Sequence, residues 1–112
     1  MIIAQFVLFK STELPYGFTI SGHAGWADRG KDVVCAAVSS AVELTCNTVT
    51  DFFGVDAEVV VLPDEARIEL FLPSYIKAEH PSVKLLASLR AHLDLISEDH
   101  PGTVEVTAVP HN

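Results

Sequence analysis

Two side chains in this chain are of a type and spacing suited to chemistry. His23 lies in Ser21-Gly22-His23-Ala24-Gly25, and Cys35 lies near the start of the apolar run Val33-Val34-Cys35-Ala36-Ala37-Val38. A thiol becomes a useful nucleophile where positive potential favours its thiolate and a base is within reach. If Asp32 caps a helix, Cys35 is its third residue, where unpaired amides and the helix dipole both favour an anion. The amides of Cys35 and Ala36 would then also be placed to hold the oxyanion of a tetrahedral intermediate. His23, at the end of a strand twelve residues earlier, meets the thiol if the intervening loop folds back. The competing reading makes Cys35 a small buried hydrophobe and His23 a satisfied turn residue.

The neighbouring residues admit two roles each. Asp32 either caps the helix or orients the imidazole, and one carboxylate can do part of both. Ser39, one turn after Cys35, either contacts substrate and the catalytic groups or returns its hydroxyl to its own helix backbone. The segment Ala24-Gly25-Trp26-Ala27-Asp28-Arg29-Gly30 holds the only tryptophan between glycines. That composition suits a mobile lid over a peptide, and equally an ordinary loop with an anchoring aromatic. Neither cysteine has a second ligand at zinc-site spacing, and His80, His92, His100 and His111 are scattered and read as surface residues. No metal or other cofactor is expected, and no phosphate loop, dinucleotide fingerprint or Gly-x-Ser-x-Gly elbow is present.

The elements that must position these groups follow from periodicity. Ile2 to Phe9 and Gly17 to Ser21 read as strands of a hairpin turning near Pro15. Gly22 to Lys31 reads as a loop. Val33 to about Phe53 runs without Pro or Gly and predicts a long helix that Gly54 closes. Cys35, Val38, Ser39, Val42, Cys46, Val49 and Phe53 share one face of it. Its thin polar remainder predicts burial on more than one side, in the core or at a dimer interface. A second hairpin, Ala57–Leu62 and Ala66–Leu72, turns at Pro63-Asp64-Glu65. A second helix starts at Pro81 and runs to about Glu98, with Val83, Leu86, Leu89, Leu93 and Ile96 inward. Thr103 to Ala108 is a last strand. The order β-β-α-β-β-α-β predicts a single α+β sandwich domain over residues 1–112, two helices covering one face of a mostly antiparallel, mixed sheet.

Composition sets the limits. With 112 residues, 49% hydrophobic and 20% charged, the chain can bury a modest core without metals or staples. Seven basic against fifteen acidic residues give a net charge of −8. No footprint for a phosphate backbone exists, so direct nucleic-acid binding is not expected, and a basic peptide or protein is the better partner. The apolar start, Met1 to Phe9, lacks a basic leader and a cleavage site, and reads as a buried strand of a cytoplasmic protein. No stretch is expected to approach a membrane span. On one helix, Cys35 and Cys46 lie roughly 16 Å apart, too far for a disulfide.

Taken together, Gly22-His23-Ala24-Gly25, Asp32 and Val34-Cys35-Ala36-Ala37-Val38-Ser39 resemble the ribosomal-processing cysteine protease (Prp) family of bacteria, as do Asn47-Thr48 and the element order over almost the whole chain. The resemblance implies a cysteine endopeptidase that removes the N-terminal extension of a large-subunit ribosomal protein of the bL27 type before ribosome assembly. It implies His23 as catalytic histidine, Cys35 as nucleophile, and Asp32 and Ser39 at flanking positions of the site. It further implies a homodimer, a mobile loop between the two catalytic residues, and an apolar groove beside Trp26 for aromatic substrate residues. Cys46 lies outside the pattern. A second class remains: a non-catalytic dimeric module for ribosome assembly or protein binding through the long apolar helix.

Overall fold

A computed structural model describes residues 1–23 and 29–110. Five strands, β1 (Ile2–Leu8), β2 (Pro15–Ser21), β3 (Glu58–Leu62), β4 (Arg67–Phe71) and β5 (Val104–Pro110), form one sheet in the order β3-β4-β2-β1-β5. Neighbours are antiparallel except β1 and β5, which run parallel, with Ile2 opposite Val104 and Phe6 opposite Ala108. Two helices complete the fold, α1 (Arg29–Asn47) and α2 (Pro81–Asp99). The α+β fold, the strand count and the mixed sheet are those the sequence predicts.

Strand alternation selects the buried face. Ile2, Ala4, Phe6 and Leu8 point inward on β1 while Ile3 and Gln5 are exposed. In register with them lie Phe18 and Ile20 of β2 and Leu70 of β4. Val34, Val38, Val42 and Cys46 of α1 and Val83, Leu86, Leu89 and Leu93 of α2 meet this face in one continuous core. Phe6 and Phe18, directly opposite each other, pack with ring centroids 5.8 Å apart.

The first long helix departs from expectation at both ends. It starts at Arg29, so the predicted loop is helical from that residue, and Asp32 lies within the first turns instead of capping them. At the other end α1 passes into a π-helical turn, Thr48–Phe52. Gly54 then takes φ +64°, a left-handed conformation that suits glycine at a helix end. Inside the chain α1 is covered by the sheet and by α2. Within the single chain Leu44 and Phe52 are 68% and 83% exposed, because only one sheet face and α2 are available to cover it. Val33–Phe52 is also long and apolar enough, at a mean hydropathy of 1.4, to cross a membrane by length and composition, contrary to the expectation that no stretch comes close. Here its apolar stripe lies against the sheet. The second helix keeps its predicted start, with Pro81 in its first turn.

Candidate active site

A cleft of about 450 Å³ opens between α1 and the β3–β4–β2 side of the sheet. The floor comes from strand positions that face the helices: Ile2 from β1, Ile20 from β2, Ile68 from β4 and Val61 from β3, the last three in mutual register. The wall comes from α1, which presents Cys35, Val38, Ser39, Val42 and Glu43 over little more than two turns. Gly22 and His23, where the chain leaves β2, line the same cleft.

Local backbone chemistry fixes that corner. The Gly22 amide donates to the Ala66 carbonyl at 3.0 Å, tying the strand exit to the β3–β4 turn. Gly22 itself has φ +93°, and a Cβ there would lie 2.5 Å from the Met1 carbonyl oxygen. Only glycine meets both conditions, so the main chain carrying His23 is held against the start of β1. Ala66 sits at φ +47° in the same turn and also lines the cleft.

Both predicted reactive groups therefore face one cleft. His23 is exposed and Cys35 half-buried. Ser39 is exposed one turn along the same wall. The helix start, however, alters the electrostatic reasoning. With Arg29 as first residue, Cys35 is the seventh, in the second turn. Amides that deep in a helix are used by its own hydrogen-bond ladder, and the influence of the helix end fades within the first turn. Neither a first-turn thiolate nor an oxyanion site on the Cys35 and Ala36 amides follows from this geometry. The Asp32 side chain, Gly25, Trp26 and the proposed lid lie outside the described residues.

The second cysteine behaves differently. Cys46 is buried, and burial, with a smaller contribution from the Glu43 carboxylate, pushes its thiol up to about 11. No disulfide joins it to Cys35. Among the described residues no group of three or more His, Cys, Asp or Glu side chains gathers as metal ligands.

The cleft contains residues that the sequence did not single out. Val61, Pro63, Ala66 and Ile68, from β3, β4 and the turn between them, line it across from α1. Their alternation reads as ordinary core, and only the sheet order brings them opposite α1. Away from the cleft, His80 does not lie loose on the surface, because its Nδ1 accepts the Ser82 amide at 3.0 Å and caps α2.

A thiol and an imidazole line one apolar cleft of an α+β fold, and the comparison with known proteins gives the class, a cysteine protease. The chain belongs to the cysteine protease Prp family, whose family model matches residues 1–105. Its fold is shared with SMU.848 from Streptococcus mutans, at TM-score 0.84 and 24% identity over 99% of this chain and 96% of that one. It is also shared with the ribosomal processing protease Prp from S. aureus, solved with a substrate peptide and with a covalently linked product peptide. Each of those matches has TM-score 0.82 and 14% identity over 97% of this chain and 100% of that one. No curated protein matches the chain significantly.

Proposed function

We propose that this chain is the endopeptidase that trims the N-terminal extension from a bL27-type ribosomal protein before ribosome assembly, using Cys35 as nucleophile and His23 as acid and base. The observation that carries this reading is the single cleft lined by both residues. Cys35 Sγ, as thiolate, attacks the scissile carbonyl carbon, and the carbonyl π electrons move to oxygen. Collapse of that tetrahedral adduct breaks the C–N bond, with protonated His23 giving its proton to the leaving amine. Water, deprotonated by His23, then attacks the thioester and releases the acid, returning the thiol and imidazole to their starting state. The covalently linked product peptide of S. aureus Prp supports a covalent route.

Ser39 and Asp32 serve as supporting groups, Ser39 toward the bound peptide and Asp32 by its match to the family pattern. Gly22 fixes the main chain at His23, and Gly25 and Trp26 are assigned to contact with the peptide. The apolar floor suits aromatic and aliphatic substrate side chains. Exposed Val33, Leu44 and Phe52 on one helix support a homodimer. A ribosomal substrate supports a cytoplasmic enzyme. Incubation with a peptide matching the extended ribosomal N-terminus tests the proposal by mass spectrometry. One cut is expected with the intact chain and none with Cys35→Ala. Cleavage that survives in Cys35→Ala refutes the dyad, and binding without cleavage by the intact chain leaves the non-catalytic module.

A further inference from the structure

The cleft carries a charge that the peptidase mechanism does not use. We infer that Glu43 selects a basic side chain of the bound peptide, three or four residues from the scissile bond; the inference rests on the peptidase reading above. Cys35, Ser39 and Glu43 recur at i, i+4 and i+8, and all three line the cleft. At about 1.5 Å rise per residue, Glu43 stands roughly 12 Å from Cys35 along α1. An extended peptide advances about 3.3 Å per residue, so a chain laid along this wall with its reacting carbonyl at Cys35 brings its third or fourth neighbour to Glu43.

The surroundings make that carboxylate a discriminator. Glu43 is exposed, and no cation among the described residues lies within ion-pair distance of it. Arg67, the cation among the lining residues, is held by Glu69 at 2.9 Å. The cleft is otherwise largely apolar, with Val38, Val42, Val61 and Ile68 among its lining residues. An uncompensated negative charge beside low-dielectric walls attracts Lys or Arg and repels Asp or Glu, which is selection by both attraction and repulsion. The net charge of −8 acts in the same direction.

The test is a set of peptides that differ only in one position, carrying Lys, Gln or Glu at each site from two to five residues on either side of the cut. At one site, three or four residues from the cut, kcat/KM for Lys over Glu is expected to be roughly tenfold, mostly through KM, shrinking with added salt. Glu43→Gln should bring the ratio close to one, and Glu43→Lys should invert it; circular dichroism confirms that both variants fold. A Lys preference retained in Glu43→Lys, or peptides cleaved with no charge preference at those sites, overturns the inference. If nothing is cleaved, the peptidase reading fails separately. Fluorescence anisotropy of the same peptides on the intact chain and on Glu43→Lys then reads the charge preference directly, with the same inversion required.

Discussion

The two helices are each nineteen residues long and lie against the same core, yet they are built to different ends. α2 buries Val83, Leu86 and Leu93 completely, with Leu89 nearly so, and its start is fixed by Pro81 and the His80 cap. α1 anchors itself with smaller side chains, Val34, Val38 and Val42, and leaves its one leucine, Leu44, in solvent. Its last turns loosen into a π-helical turn. Three threonines there, Thr45, Thr48 and Thr50, donate their hydroxyls to carbonyls four residues back, at 2.7 to 3.0 Å. Only α1 lines the cleft. The difference shows how a small domain divides its labour: one helix supplies the larger buried side chains, so that the other can hold reactive and polar groups at an open face.

That division can be broken by mutation. The largest effect is expected for Cys35→Ser, which should lower kcat/KM by about 10⁴-fold or more. Its unfolding free energy should stay within about 0.5 kcal/mol of the parent, as measured by urea titration. Leu86→Ala should show the reverse, losing about 2–5 kcal/mol of stability while keeping its cleavage rate under conditions where it remains folded. If either variant shifts both quantities together, the helices are not separate in function.

Cys46 refines the comparison within α1, because it shares the helix with Cys35 but belongs to the core. Its thiol is raised from 9.0 to about 11 by burial first and by Glu43 second. The folded state therefore prefers the proton more than the unfolded state does. The stabilising contribution is complete below pH 9 and is lost as pH rises through about 11, on the order of 2–3 kcal/mol in all. Urea titrations from pH 8 to 11 should show this decline in the parent and a shallower one in Cys46→Ala. The smallest expected effect is His80→Ala, which removes the cap of α2 and should cost about 1 kcal/mol, with His80→Asn restoring most of it. No change in cleavage should accompany either variant.

Much of the fold was legible in the sequence because local chemistry spelled it out. The hairpins showed as alternating residues broken at Pro15 and at Pro63-Asp64-Glu65, and α2 as leucines at helical spacing behind Pro81. The start of α1 was not legible. Asp32 has the composition of a cap, and Gly30 lowers helix propensity, yet the helix runs through both. The cap at His80 was missed because histidine is an unusual residue in that role. His23 and Cys35 stood out by type and setting, and both face the cleft. Its opposite wall was hidden, since Val61 and Ile68 differ from core residues only through a sheet order that joins β3 to β4 and β4 to β2. Glu43 drew no notice beyond being one of the few polar residues of α1. Its position opposite that wall depends on tertiary placement.

The parallel pairing of β1 with β5 has a kinetic consequence. One neighbour of β1, the strand β2, follows it directly; the other is the last strand of the fold. Closing that contact joins segments separated by nearly the whole sequence, a step that is slow compared with hairpin and helix formation. Ile2, part of the cleft floor, gives its amide to the Thr103 carbonyl just before β5. During synthesis, then, every cleft-lining residue emerges well before the strand that locks the floor, and proteolytic competence should appear late, after the sheet has closed around its first strand.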